Sequence, residues 1–303
     1  VRFAYFGTSS FAVPALEALA PWVKLVVTQP SRPSGRGNRL FPTPVGAMAA
    51  ALGIEVASPE KARDADFVSM IESREFDALV VASYGQILSQ RLLGAAEHGG
   101  INLHGSILPA YRGAAPIARA ILEGETETGV TLMQMDKGMD SGDIIAIERT
   151  SIGPDETAGE LEARLSELAG EMAAAWLPRI VTGEYPRTPQ DHANATFAPK
   201  LASEEGCLTY EMDADHAYRR FRAFTPRPGA SLRTDRGQVK LIRCRQADPS
   251  GTPGTVLEKG PTGLLVAMSQ GSLLLTDVQP AGKKPMSWND LANGWRLNVG
   301  DRL

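Results

Sequence analysis

Short apolar runs and helical stretches alternate through the N-terminal half of the chain, and no other feature of the sequence restricts its fold so strongly. "VRFAYFG" reads as a strand ending in a turn at Gly7, and the residues after it set Phe11, Leu16 and Leu19 on one face of a helix. "VKLVVTQP" and "FDALVVASYG" are further apolar runs bounded by turn residues, with helical sequence around Pro44 to Leu52 between them. "GINLHG", helical "PIARAILEG" and "TGVTLMQM" continue the pattern, and Thr157 to Val181 reads as one long amphipathic helix. Strands and helices that alternate in this way bury their apolar faces best as a mostly parallel twisted sheet with flanking helices, so the expectation is an α/β domain.

The pattern then changes. "TGEYPRTPQDHANATFAPKLASEEG" holds three prolines and little apolar periodicity, which predicts a linker over residues 185–205. Beyond one helix near Ala214 to Phe224 come short strands at close spacing with glycine-rich turns, closing on "NVGDRL", the pattern of a small β-barrel. At 303 residues two domains are expected, over residues 1–184 and 206–303. Charge divides along the same line: residues 1–199 hold 16 Lys and Arg against 24 Asp and Glu, residues 200–303 hold 15 against 11. A basic second domain in an acidic chain hints at a polyanionic partner, although an ordinary solvated face accounts for it nearly as well.

Several functional classes are excluded or made improbable. Apolar residues at 43% and charged residues at 22% are the mix of a globular chain with a real core. No apolar run reaches the roughly 18 residues of a membrane span and no leader is evident, so a cytoplasmic protein with no membrane partner is expected. Cys207 and Cys244 read as two free thiols rather than one disulfide. Four histidines without close His/Cys spacing argue against a metal. The first strand–helix turn, "GTSSFA", lacks the glycine pattern of dinucleotide binding, and the second strand ends in Thr28-Gln29 where a ribose-binding carboxylate belongs.

The chemistry-bearing stretch is "INLHGSILPAYRGAAPI". On a strand, Asn102 and His104 share one face while Ile101 and Leu103 face the other way, so an amide and an imidazole are delivered together to the sheet rim. Two polar residues that merely cap the following turn fit the same spacing. "MDKGMDSGDII" places Asp140 between Gly138 and Gly142, 36 residues after His104, far enough for a helix to cross and bring the two loops together. Asn, His and Asp suit acyl transfer: amide and imidazolium donors for a developing oxyanion, and a carboxylate that holds the imidazole charged. A Ser-His-Asp hydrolase built on Ser106 is the weaker alternative, because the chain has no G-x-S-x-G elbow. A third feature, "TQPSRPSGRGNRLFPTP", sets Arg32, Arg36 and Arg39 among glycines and prolines, with no acidic residue between Glu17 and Glu55. Such a loop suits phosphate contact; a plain solvated loop is the competing reading.

Taken together, "FGTSSFAVPALEAL", "TQPSRPSGRG", "VVASYGQIL", "INLHGSILPAYRGAAPI", "TGVTLMQMDKGMDSGDI", "RAFTPRPGA" and "QPAGKKPM" resemble, in order, segments of the methionyl-tRNA formyltransferase family. The Asn-x-His and later Asp pattern is common to formyltetrahydrofolate-using enzymes, among them sugar-amine formyltransferases; the arginine loop and basic C-terminal domain resemble the tRNA-modifying branch. The resemblance implies a Rossmann-like formyltransferase fold with an OB-like C-terminal barrel. It implies formyl transfer from 10-formyltetrahydrofolate, without a metal, to the methionine α-amino group of initiator methionyl-tRNA by a monomer. Asn102, His104 and Asp140 match the catalytic residues, Ser106, Ile107, Leu108 and Pro109 the folate-contacting run, and Arg36, with Arg32 and Arg39, the loop inserted into the acceptor stem. Asn38 and Arg227 depart from the family's usual basic and aromatic residues. A sugar-amine formyltransferase and a noncatalytic RNA-binding protein remain as alternatives.

Overall fold

The computed structural model describes residues 1–34 and 39–303. In chain order its elements are β1 (Phe3–Gly7), α1 (Val13–Leu19), β2 (Val23–Val27), β3 (Pro33–Ser34), β4 (Arg39–Leu40), α2 (Pro44–Ala51), β5 (Val56–Ala57), α3 (Ala65–Glu72), β6 (Ala78–Ala82), α4 (Gln90–Leu93), β7 (Gly100–His104), α5 (Pro116–Glu123), β8 (Glu127–Gln134), β9 (Ile144–Ser151) and α6 (Ala158–Val181). After short 3-10 turns follow β10 (Cys207–Leu208), α7 (Ala214–Phe224), β11 (Ala230–Thr234), β12 (Gly237–Ala247), β13 (Val256–Lys259), β14 (Leu264–Ala267), β15 (Ser272–Pro280), β16 (Met286–Ser287) and α8 (Trp288–Trp295). The chain divides into two compact units: residues 1–116, 127–151 and 162–199, and residues 117–126, 152–161 and 200–303.

The first unit is built on a seven-stranded sheet in the order β5-β2-β1-β6-β7-β8-β9. β5, β2, β1, β6 and β7 run parallel, and β8 and β9 extend the sheet antiparallel. β1, β6 and β7 are buried along their whole length, which explains why β1 and β6 read as unbroken apolar runs, while β7 buries the polar Asn102 and His104 as well. On one face Ala4, Phe6, Leu25, Val27, Leu79 and Val81 pack with Val68 and Ile71 of α3 and Leu92 of α4. Phe3, Tyr5 and Val80 are equally buried on the other face, where the Tyr5 hydroxyl donates to the Ala12 carbonyl at the start of α1. The chain runs outward from β1 to β2 and β5, then returns to β6 on the opposite side of β1. Such a reversal leaves a crevice at the strand ends where ligands bind in open α/β sheets.

The prolines of the expected linker do not leave it loose. Thr188 and Ile144 exchange two backbone hydrogen bonds at 2.8 and 2.9 Å, Gln190 is 6% exposed, and Ala198 is fully buried. The second unit carries a mostly antiparallel sheet in the order β10-β11-β12-β15-β14-β13, with β16 on β15, a small barrel-like arrangement. α7 buries Ala217, Phe221 and Phe224, and its Arg222 guanidinium donates to the carbonyls of Gly153 and Glu156 at 3.1 and 3.3 Å. "NVGDRL" departs from the expected strand. Arg302 forms only a single bridge, with Thr255, because Asn298 and Asp301 close a turn in which the Asp301 side chain accepts from the Asn298 amide. Among the described residues no helix is long and apolar enough to cross a membrane.

Candidate active site

β7 places Asn102 and His104 on one face of the sheet, 8% and 6% exposed, opposite Met133 and Thr131 of β8. They lie under folded-over loops rather than at an open rim, because Thr131 pulls the following turn back over the sheet. Its hydroxyl donates to the Ser106 carbonyl at 2.6 Å and accepts from the Leu108 amide at 3.1 Å. Ser106 is fully buried, and its hydroxyl donates to the Ala110 carbonyl at 2.7 Å. That hydrogen bond makes Ser106 a turn-forming residue and argues against the hydrolase alternative, since its hydroxyl proton is directed to a backbone carbonyl rather than to the imidazole. Leu108 is buried, while Ile107 and Pro109 are partly exposed.

Asp140 arrives from the loop between β8 and β9. Asn102 Nδ2 donates to its Oδ1 at 3.3 Å, the Gly113 amide donates to its Oδ2 at 2.9 Å, and His104 Nδ1 lies 3.6 Å from that same oxygen. The other imidazole nitrogen, Nε2, is 2.9 Å from the Tyr111 carbonyl, which can only accept, so Nε2 carries a proton. Both ring nitrogens therefore face oxygen atoms, Nε2 the Tyr111 carbonyl and Nδ1 the Asp140 carboxylate. Asn102 keeps a second amide hydrogen, and the 3.6 Å separation at Nδ1 is too long for a committed hydrogen bond. A carbonyl oxygen can take up both donors without breaking the inner ring of contacts.

Asp140 has φ of 48°, a left-handed conformation that Asp tolerates better than most residues. Its loop is pinned from within, since the Asp136 carboxylate accepts from the Gly138 amide and the Ser141 hydroxyl, each at 2.8 Å. Gly113 is at φ of 124°, and a Cβ there would come within 2.9 Å of the Ala198 carbonyl, so only glycine brings its amide to Asp140.

The structure thus gathers Asn102, His104 and Asp140, which are distant in sequence. Arg32 is exposed; Arg36 and the Arg39 side chain lie outside the described residues. Sequence reasoning missed Gly113, the Tyr111 carbonyl and the pair Arg112 and Gln190. The adjacent Tyr-Arg-Gly triplet was the available signal, because Tyr111 at φ of 60° and Gly113 both take left-handed backbone. Gln190, inside a proline-rich span, carried none.

Comparison with known proteins gives the family of the chain. Residues 2–177 match the family model described as formyl transferase, and residues 200–296 match the formyl transferase C-terminal domain. The chain is 42% identical to methionyl-tRNA formyltransferase of Myxococcus xanthus, over 99% of this chain and 97% of that protein. It is also 42% identical to the enzyme of that name from Thermus thermophilus, over 100% and 99%. Among solved structures, an N-formyltransferase from Helicobacter canadensis, in complex with folinic acid and dTDP-3-aminofucose, superposes with a TM-score of 0.67 at 17% identity, over 91% of this chain and 98% of that one. HypX from Aquifex aeolicus, in complex with tetrahydrofolic acid, gives 0.64 at 16%, over 100% and 49%.

Proposed function

Because the chain belongs to the methionyl-tRNA formyltransferase family, we propose that it moves the formyl group of 10-formyltetrahydrofolate to the methionine α-amino group of charged initiator tRNA. The observation that carries the reading is the convergence of Asn102, His104 and Asp140 into one cluster of donors around a carboxylate. The donor substrate supplies a formyl carbon on a nitrogen leaving group. Asn102 Nδ2 and His104 Nδ1 hold the formyl oxygen and stabilise the negative charge it gains as the amine adds and the carbon turns tetrahedral. Asp140 keeps the imidazole charged and takes the proton that the attacking amine must lose; the same proton is then available to the departing nitrogen. No side-chain nucleophile is needed, which agrees with the buried, engaged hydroxyl of Ser106.

Apolar side chains near the site would suit the ring system of the donor. Ile87, in the loop that leaves β6 beside β7, is 89% exposed, and Met139, next to Asp140, is 61% exposed. Uncovered apolar side chains at the end of a sheet suit a ring system, and the family resemblance assigns the turn Ser106, Ile107, Leu108 and Pro109, of which Ile107 and Pro109 are partly exposed, to the same donor. For the tRNA, Arg32, Arg36 and Arg39 are assigned to the acceptor stem. The second unit offers two adjoining open clefts, of about 310 and 420 Å³, lined by Lys240, Gln238, Arg236 and Lys283. Arg236 lies 5.4 Å from the Trp295 ring centre, a cationic and aromatic pair that suits a nucleic-acid backbone.

The deciding experiment offers the protein formyl donor with either charged initiator tRNA or a dTDP-linked amino sugar. Formylmethionyl-tRNA is the expected product. Formylation of the sugar alone would replace this reading by that of a sugar-amine enzyme, and absence of turnover with both would leave a binding protein.

A further inference from the structure

Residues 188–198 fall between the two matched family ranges, yet they grip both loops that form the site. Gln190 is the centre of that grip. Its Nε2 donates to the carbonyls of Asp140 at 2.9 Å and Gly142 at 2.7 Å, spanning the left-handed residue. Its Oε1 accepts from Arg112 Nε at 3.1 Å and Nη2 at 2.7 Å. Every hydrogen-bonding position of the Gln190 amide is therefore used, and its orientation is fixed because carbonyls lie on one side and a guanidinium on the other. Arg112 is only 6% exposed, and its Nη2 also donates to His192 Nδ1 at 3.0 Å, so a buried cation is held by an amide and an imidazole from this one segment.

The same segment fixes the His104 side of the site. Thr196 Oγ1 accepts from the Tyr111 amide at 2.9 Å and the Thr196 carbonyl from the Arg112 amide at 2.9 Å, while the Ala198 amide donates to the Arg112 carbonyl at 2.7 Å. Tyr111 is the residue whose carbonyl holds His104 Nε2. Two groups that must meet within a few tenths of an ångström are thus positioned by one strap.

We infer that Gln190, backed by Arg112, is a positioning residue that holds Asp140 in register with His104 and Asn102, so that the segment joining the two matched regions is part of the catalytic apparatus. This deepens the formyl-transfer reading and rests on it for the meaning of Asp140. Gln190→Glu is the informative change. It keeps volume and an oxygen for Arg112 but turns the two donated hydrogen bonds into contacts between a carboxylate oxygen and two carbonyl oxygens. Such a substitution moves the Asp140 loop without emptying space.

The test measures wild type and Gln190→Glu for melting, for the Gly113 amide resonance in 15N–1H spectra, and for kcat and KM with donor and charged initiator tRNA. Expected are a folded variant, a displaced Gly113 amide signal, kcat lowered by about 10-fold or more, and KM for the donor little changed, because misplacement by about 1 Å costs on the order of 100-fold. Arg112→Lys keeps the charge and loses the fork, and the same split between kcat and KM is expected of it if Gln190→Glu does not fold. Wild-type kcat in a folded variant, an unmoved Gly113 amide, or a loss of rate that merely tracks the unfolded fraction overturns the inference. If wild type itself fails to formylate charged tRNA, the functional reading falls, while the Gly113 signal still decides whether Gln190 positions Asp140.

Discussion

Asp140 combines three tasks in one side chain: it accepts from Asn102, accepts from the Gly113 amide, and faces His104 across 3.6 Å. The separation of roles gives distinct expectations for substitutions. His104→Ala or Asn102→Ala each remove one donor to the developing oxyanion, so kcat is expected to fall by roughly 100-fold or more with donor affinity largely kept. A variant that turns over at the wild-type rate takes that residue out of the chemistry. Asp140→Asn keeps the volume and an oxygen for the Gly113 amide but removes the charge and the proton acceptor. Turnover is expected to collapse at every pH while melting changes little; a retained rate assigns the carboxylate to loop structure only.

At the scale of elements, the start of α6 shows how a local motif ties stability to pH. The Glu160 carboxylate accepts from the Thr157 amide at 2.9 Å and hydroxyl at 2.7 Å, and the Glu160 amide donates back to the Thr157 hydroxyl at 3.4 Å, a reciprocal cap. Those hydrogen bonds, the backbone one first, pull the Glu160 carboxyl below its ordinary range against a smaller opposing effect of burial. A depressed carboxylate stabilises the fold above its unfolded pKa and loses that contribution as pH falls through the lower folded value. Glu160→Ala is expected to melt earlier than wild type at pH 7, with the gap closing below about pH 4.3; Thr157→Ala is expected to cost about 1 kcal/mol at neutral pH. Melting curves from pH 3 to 7 check both, and a gap constant across that range would mean that the charged carboxylate contributes nothing. The helix itself was legible, predicted over 157–181 and observed over 158–181, because its apolar stripe persists for six turns. β9 was not, since its solvent-facing half carries Glu148, Arg149 and Thr150 and offers no apolar run.

Along the whole chain charge is uneven: residues 18–54 hold no acidic residue, and residues 200–303 hold 15 Lys and Arg against 11 Asp and Glu. Arg36→Ala is expected to lower catalytic efficiency with charged initiator tRNA, to leave donor affinity unchanged, and to reduce the salt dependence of tRNA binding by up to about one unit of slope. Lys240→Ala, in the cleft of the second unit, is expected to weaken tRNA binding in the same salt-dependent way. Kinetics and binding at several salt concentrations check both, and an unchanged slope in either variant marks that residue as ordinary solvated surface.

The sequence by itself determined the parallel α/β core, the barrel-like second region, the pairing of Asn102 with His104 on one strand face, and the family. Each of these rests on periodicity or on short ordered motifs, which local sequence carries. What only the tertiary structure decided was how Asp140 reaches His104, why Ser106 is a turn residue, and that the proline-rich span grips the site through Gln190. These depend on contacts such as Arg112 with Gln190, 78 residues apart, and on backbone donors and acceptors such as the Gly113 amide and the Tyr111 carbonyl. Every residue has the carbonyl and every residue but proline the amide, so nothing in the letters distinguishes the few that the fold aims at a carboxylate or an imidazole.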